Sequence, residues 1–325
     1  MKIRLSPLLQ SKLNIFIYKN FGWGLAKFYI SFLGRLYYFF NHGEKQTIKK
    51  AVFDVFGRVD QKHNLEDITQ KIFQGIFSHY YEKLYIAFED QKKAAGFLNQ
   101  SVSRSDLSIL RRSQLKGKGV IVITGHYGAI EYIPTLFAVN DFDVSMIAKF
   151  KTKLLKRQVF AQAIKYGIRL IDAEHAGSSL RTAIHELKQN RVLVTQCDEI
   201  EAWKLSKRDK TSFLGKVTGL DRTINIIQRR TGAEIVFGII HRYNLNEYKL
   251  IMYSYEDMLK MLDKVSTSSI GETVLKVLEQ FIYHYPEQWY QWKKYPDIKN
   301  SSSSGAKAGK SASLPFLQPA FGKIL

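Results

Sequence analysis

Two residues five apart invite a chemical reading: His126 and Glu131, in the stretch KGVIVITGHYGAIE. An imidazole beside a carboxylate is a proton-transfer pair. The carboxylate orients one ring nitrogen and stabilises the imidazolium, while the other nitrogen takes a proton. Residues five apart match poorly on a continuous helix, where neighbours on one face are three or four apart. The expectation is therefore His126 in a turn and Glu131 near the first turn of the helix that follows. Pro134 supports a late start for that helix, because proline is tolerated early and disruptive further in. The bland alternative is a strand-end histidine and a solvated glutamate.

The positioning element lies just upstream. Residues 120–123 are four β-branched apolar residues in a row, the pattern of a strand buried on both faces. Thr124-Gly125 ends it and leaves His126 at its C-terminal end, where open α/β sheets place ligands. Further strands are predicted at 144–150, 170–171, 191–196, 233–240 and 250–253, the last at a sheet edge. Helices are predicted at 178–189, 220–230 with Thr231-Gly232 as the stop, and 271–283. Asp198, Glu199 and Glu201 stand just past the strand 191–196. Asp198 is open to two readings, a group that binds a substrate or orients a base, and a structural cap. The fold expected is α/β, a mixed central sheet flanked by helices.

Residues 44–100 show helical apolar spacing, and 101–115 read as a short helix capped by Ser or Asp. Residues 1–25 carry Lys2, Arg4, Lys12 and Lys19 and no acid, and Trp23 and many Phe and Tyr follow to Phe40. Basic flanks on an aromatic-rich helix suit an interfacial membrane anchor; a helix packed on the core is the other reading. No run reaches the ~20 apolar residues of a spanning helix, and Arg35 interrupts the nearest. The division expected is 1–115 as an N-terminal helical, membrane-contacting region, 116–299 as the α/β core, and 300–325 as a Ser, Gly, Ala and Lys-rich disordered tail.

The 325 residues are 45% hydrophobic, enough for a core, and carry a net charge of +20. Such a surface suits an anionic partner: nucleic acid, acidic membrane or an acidic carrier. Two basic stretches stand out, 149–157, with Lys149, Lys151 and Arg157 as candidate substrate contacts, and 204–216. They suit phosphates, an acidic protein face or lipid head groups, or else form a solvated surface. No nucleic-acid motif accompanies them, which argues against a nucleic-acid partner. One cysteine, Cys197, excludes an internal disulfide, and the eight histidines show no metal-ligand spacing.

In this order the motifs resemble the bacterial lipid A biosynthesis acyltransferase family, the late lauroyl and myristoyl transferases of the lysophospholipid acyltransferase superfamily. The resemblance covers about residues 20–298. Its HX4D/E motif is His126 and Glu131 in TGHYGAIEY, and its strand-end acid block is Asp198 in TQCDE. Its Phe-Phe-Gly element resembles Phe213-Leu214-Gly215. Residues 228–236 (QRRTGAEIV) resemble a further block, and 286–294 (PEQWYQWKK) the C-terminal one. There are departures. The family's arginine falls by spacing near Ala163, with Arg157 and Arg169 as candidate stand-ins, and Glu199 occupies a place where Gln or His is common.

The resemblance implies transfer of a fatty acyl group from an acyl carrier protein or coenzyme A thioester to a hydroxyl of a glycolipid, such as a lipid A precursor. The setting implied is peripheral, on the cytoplasmic face of a bacterial inner membrane. His126 would be the general base and Glu131 its orienting carboxylate. Backbone N–H groups around Gly128, or an arginine, would meet the oxyanion. No cofactor is called for, since the thioester is a co-substrate. Other readings are acylation of a phosphatidylinositol mannoside, an aryl-polyene or a lysophospholipid, hydrolysis with water activated by His126, and a basic nucleic-acid-binding protein. Residues 286–292 are assigned to core packing rather than to the site.

Overall fold

Among the described residues, those up to 101 are mostly helical, and the strands come only after them. The computed structural model describes residues 5–9, 11–57, 65–149, 153–173, 176–202, 210–220, 222–263 and 269–298. Lys151, residues 204–209 of the second basic stretch and the tail from 300 onward lie outside the described residues. The first helices are α1 (Leu5–Leu9), α2 (Lys12–Phe21), α3 (Trp23–Phe40), α4 (His42–Phe56), α5 (Leu65–Phe88) and α6 (Gln91–Ser101). Then come β1 (Val102–Ser103), α7 (Leu107–Gln114), β2 (Val120–Thr124), α8 (Ile133–Ala138), β3 (Val144–Ala148), α9 (Lys153–Lys165), β4 (Arg169–Asp172), α10 (Ala176–Lys188) and β5 (Val192–Gln196). The chain closes with β6 (Lys210–Phe213), β7 (Lys216–Gly219), α11 (Thr223–Thr231), β8 (Glu234–Asn244), β9 (Glu247–Ser254), α12 (Tyr255–Met261) and α13 (Ile270–His284).

The main sheet has seven strands in the order β1-β9-β8-β2-β5-β3-β4. It is mixed: β8 and β9 pair antiparallel, and the other pairs are parallel. β2 is central and all five of its residues are buried, as its β-branched run predicts. Side chains alternate across a strand. Ile121 and Ile123 therefore join one apolar cluster with α10, α11 and α13, and Val120 and Val122 join another with α6, α7 and α8. The predicted stop of α11 is present: Gly232 takes a left-handed φ of 70°, which its missing side chain allows.

β1 pairs with the outer side of β9 only at Tyr248 and Lys249, so among the described residues the segment 250–253 has no strand beyond it and is an edge there, as expected. One local expectation is corrected. Asp106 precedes α7 but does not cap it; its carboxylate accepts from the Met252 N–H at 3.1 Å and ties α7 to the sheet.

The N-terminal helices serve both faces. In α3, Ala26, Ile30, Gly34, Tyr37 and Tyr38 are buried, with Tyr38 tilted on Phe73 and Phe77 of α5. A Cβ on Gly34 would sit 2.3 Å from the Phe77 ring, so close packing there requires glycine. The outer face of α2 and α3 leaves Phe16, Leu25, Phe28, Phe32, Leu36 and Phe39 exposed. Leu25, Phe28, Phe32, Leu36 and Phe39 follow the three-and-four spacing of one helical stripe. Among the described residues no helix is long and apolar enough to cross a membrane.

Candidate functional site

Strand register builds the site. β2 and β5 are parallel neighbours with Thr124 opposite Gln196, and the Cys197 N–H extends the ladder to the Thr124 carbonyl at 2.8 Å. Two residues beyond each strand, His126 and Asp198 therefore emerge side by side. The Asp198 carboxylate accepts the His126 backbone N–H at 3.0 Å, and its Oδ1 lies 2.9 Å from His126 Nδ1. An ionised carboxylate only accepts, so Nδ1 is the donor in this bond and Nε2 is the nitrogen left for other partners. Asp198 is wholly buried, and Trp289 donates its indole N–H to Oδ2 at 2.8 Å. Burial alone would raise the Asp198 pKa. The charge of His126 and the donors from His126 and Trp289 outweigh it and hold the group below the usual carboxylate range.

His126 Nε2 faces Glu199, whose Oε1 is 3.5 Å away. Both residues line a cavity of about 510 Å³. The cavity lining includes the apolar side chains of Ile130, Pro134, Met146, Val159, Ala163 and Leu170. Its mouth is charged. Lys149 is exposed there, Lys293 pairs with Glu44 at 3.5 Å, and Lys294 with Glu201 at 3.3 Å. Gln162 of α9 and Tyr166 just after it also line the cavity, and they bond the Glu89 and Gln91 carbonyls at the α5–α6 junction.

Glu131 lies in a 3₁₀ turn, Ile130–Tyr132, just before α8, and Pro134 is in the first turn of α8, as expected. The carboxylate hydrogen-bonded to His126 is nevertheless Asp198. Glu131 is turned towards α5, where Lys83 Nζ donates to its Oε1 at 2.8 Å. His79, one turn earlier on α5, brings Nε2 to 3.8 Å from the same oxygen. Burial and the nearby charges of Lys83, His126, Arg242 and Lys293 push the His79 pKa well below its ordinary value. The ring is therefore neutral, and the approach to Glu131 is not an ion pair. Burial by itself would lower Lys83, but Glu131, Tyr80 and Glu199 hold its pKa above the ordinary lysine value.

The loop between His126 and Glu131 is held by the C-terminal segment. The Gly128 N–H donates to the Gln288 carbonyl at 2.8 Å, the Tyr290 N–H to the His126 carbonyl at 3.2 Å, and the Ala129 N–H to the Ile240 carbonyl at 2.9 Å. Arg242 donates to the Gly128 carbonyl at 3.0 Å while forming a two-point ion pair with buried Glu82 at 2.5 and 2.7 Å. These bonds spend the backbone N–H groups of residues 126–129 within the protein, so those donors do not face a substrate. Residues 286–292 are thus more than core packing. Trp289 holds Asp198, and the Tyr290 ring stacks on His79 at 3.5 Å and meets His126 edge-on at 5.3 Å. The signal for this in the sequence is two ring donors within a buried aromatic block; the direction of the indole N–H is not readable there.

The arginines considered from the sequence are elsewhere. Arg157 is exposed on α9, Arg169 pairs with Glu186 at the sheet edge, and Ala163 is buried in the cavity wall. Phe213 ends β6 and Leu214-Gly215 turns the chain into β7, where the Leu214 N–H donates to Glu279. Cys197 is half-buried and its thiol pKa is pushed well up by desolvation, the opposite of a reactive thiolate.

Comparison with curated proteins returns no match. A model of the bacterial lipid A biosynthesis acyltransferase family matches residues 14–294, a span that takes in α3 to α13, the loop of His126 and the segment that straps it. The chain belongs to that family of acyl-transferring enzymes.

Proposed function

We propose that the protein is a membrane-associated O-acyltransferase. It takes a fatty acyl group from an acyl carrier protein or coenzyme A thioester and passes it to a hydroxyl of a glycolipid similar to a lipid A precursor. The observation that carries this reading is one histidine with two different nitrogens. Nδ1 is bonded to buried Asp198, and Nε2 lies at a cavity lined in large part by aliphatic side chains. Nε2 removes the proton of the acceptor hydroxyl as it attacks the thioester carbonyl, and Asp198 stabilises the charge the ring gains. The acceptor supplies the nucleophile, so no acyl-enzyme is formed. The apolar lobe takes the acyl chain, as its lining of aliphatic side chains suits a hydrocarbon.

The cations at the mouth, Lys149, Lys293 and Lys294, suit phosphate on the acceptor or an acidic carrier face. The exposed stripe of α2 and α3, with Lys12 and Arg35 beside it, suits an interfacial helix pair on the cytoplasmic face of the inner membrane. The test is transfer of labelled acyl groups from both thioesters to total membrane lipid, with the product read by lipid mass spectrometry. A lipid gaining one acyl chain is expected. Hydrolysis of the thioester without acylated lipid would replace this reading with a hydrolase.

A further inference from the structure

Attack on a thioester moves negative charge onto the carbonyl oxygen, and donors must meet it there. The loop of His126 does not supply them, because its N–H groups at residues 126–129 are bonded to Asp198, Gly125, Gln288 and Ile240. The arginines 157 and 169 do not line the cavity. Lys83 does, and it stands on α5, which packs against the 3₁₀ turn of Glu131.

Several contacts fix Lys83 there. Its ammonium donates to Glu131 at 2.8 Å, which uses one of its three N–H donors. His79, one turn away, is clamped on the face of Tyr290, the same ring that His126 meets edge-on. Glu199, 3.5 Å from His126 Nε2, is also near enough to act on the charge of Lys83. The ammonium and the base therefore share one small volume, and the neighbouring His79 is neutral.

We propose that Lys83, held by Glu131, is the catalytic residue that binds the thioester carbonyl oxygen and stabilises the oxyanion; this rests on the acyl-transfer reading above. The acceptor oxygen forms its bond to the acyl carbon while its proton passes to His126 Nε2. The carbonyl π pair moves onto the oxygen beside Lys83. Collapse restores the carbonyl, breaks the carbon–sulfur bond and returns the proton from His126 to the leaving thiolate. Glu131 is then a positioning residue: it keeps the ammonium charged and aimed, and its partner is Lys83 rather than His126.

The experiment compares wild type, Lys83→Met, Lys83→Arg and the double variant Lys83→Met with Glu131→Gln, using dodecanoyl thioesters of acyl carrier protein and coenzyme A with total membrane lipid. Loss of an oxyanion donor lowers kcat about 10²–10³-fold with little change in KM, and Lys83→Arg recovers much of it. Binding of dodecylphosphonate, whose anionic oxygens resemble the oxyanion, weakens on Lys83→Met, while binding of an uncharged dodecyl ketone does not. A purely structural role would weaken both ligands alike. If Lys83→Met fails to fold because Glu131 is left unpaired, the double variant removes that charge and carries the same kinetic expectation. A folded variant lacking Lys83 with near-normal kcat, or with both ligands weakened equally, overturns the assignment to Lys83 and leaves acyl transfer standing. Wild type that transfers from neither thioester overturns both.

Discussion

Asp198 holds His126 by two bonds, one to the backbone N–H at 3.0 Å and one to the ring Nδ1 at 2.9 Å. The first fixes where the residue sits, and the second fixes which nitrogen is free. His126→Ala is expected to lower transfer about 10²–10⁴-fold, the range for loss of a general base, with the fold kept. Asp198→Asn is expected to cost a similar factor, since its amide no longer demands a proton on Nδ1. Initial rates, with circular dichroism as the folding control, check both. Near-normal turnover by folded His126→Ala would remove this residue from the mechanism.

Gly128 is the tightest point of the loop. Its φ is +55°, and a Cβ there would fall 2.0 Å from the Ile240 carbonyl oxygen, a backbone atom that cannot step aside. Gly128→Ala is expected to displace the loop, lowering activity and thermal stability together. A variant with wild-type melting temperature and rate would show that the loop has more room than this.

Arg242 and Glu82 form a buried ion pair between β8 and α5, and Arg242 also holds the Gly128 carbonyl. Arg242→Met leaves a carboxylate uncompensated in the core, at a cost of about 3–5 kcal/mol. Adding Glu82→Leu removes that charge and should recover part of the stability, but not the grip on Gly128. Denaturant titration of both variants measures the difference; equal losses in the two would contradict it.

His241 carries a pH dependence. Its Nδ1 lies 3.0 Å from the Tyr127 hydroxyl, and burial, then the charges of Arg242 and Lys249, lower its pKa from 6.5 to about 4. The folded-state pKa is depressed, so the unfolded chain binds the proton first as pH falls. The neutral ring contributes its full stability above pH ~6.5, and this is lost as pH falls towards ~4, by about 3 kcal/mol for this group. His241→Asn should flatten the decline in melting temperature over that window. An unchanged slope would assign the decline to other groups, buried His79 first among them.

The outer stripe of α2 and α3 gives a binding prediction. Phe28→Glu with Phe32→Glu places two charges on an exposed apolar face without touching the buried side of α3. Binding to anionic vesicles should fall steeply while the melting temperature holds, because interfacial helices bind through buried apolar area plus charge. Undiminished vesicle binding by the double variant would place the membrane contact elsewhere.

The sequence by itself determined the central strand, the turn after it, a histidine at its end and an apolar stripe on the first helices. Each is written in the spacing of a few neighbouring residues, which is what local backbone geometry reads. It also carried the blocks of the family. It could not determine what each charged side chain meets. His126 and Asp198 are 72 positions apart, and Lys83 and Glu131 are 48 apart. The first pair meets because β2 and β5 are in-register neighbours, and the second because α5 packs against the 3₁₀ turn. The carboxylate nearest in sequence was the natural partner for His126, and the fold turned it away to a lysine. Partner choice between charges is a through-space matter of a few ångströms, decided by which strands lie side by side and which helix covers their ends.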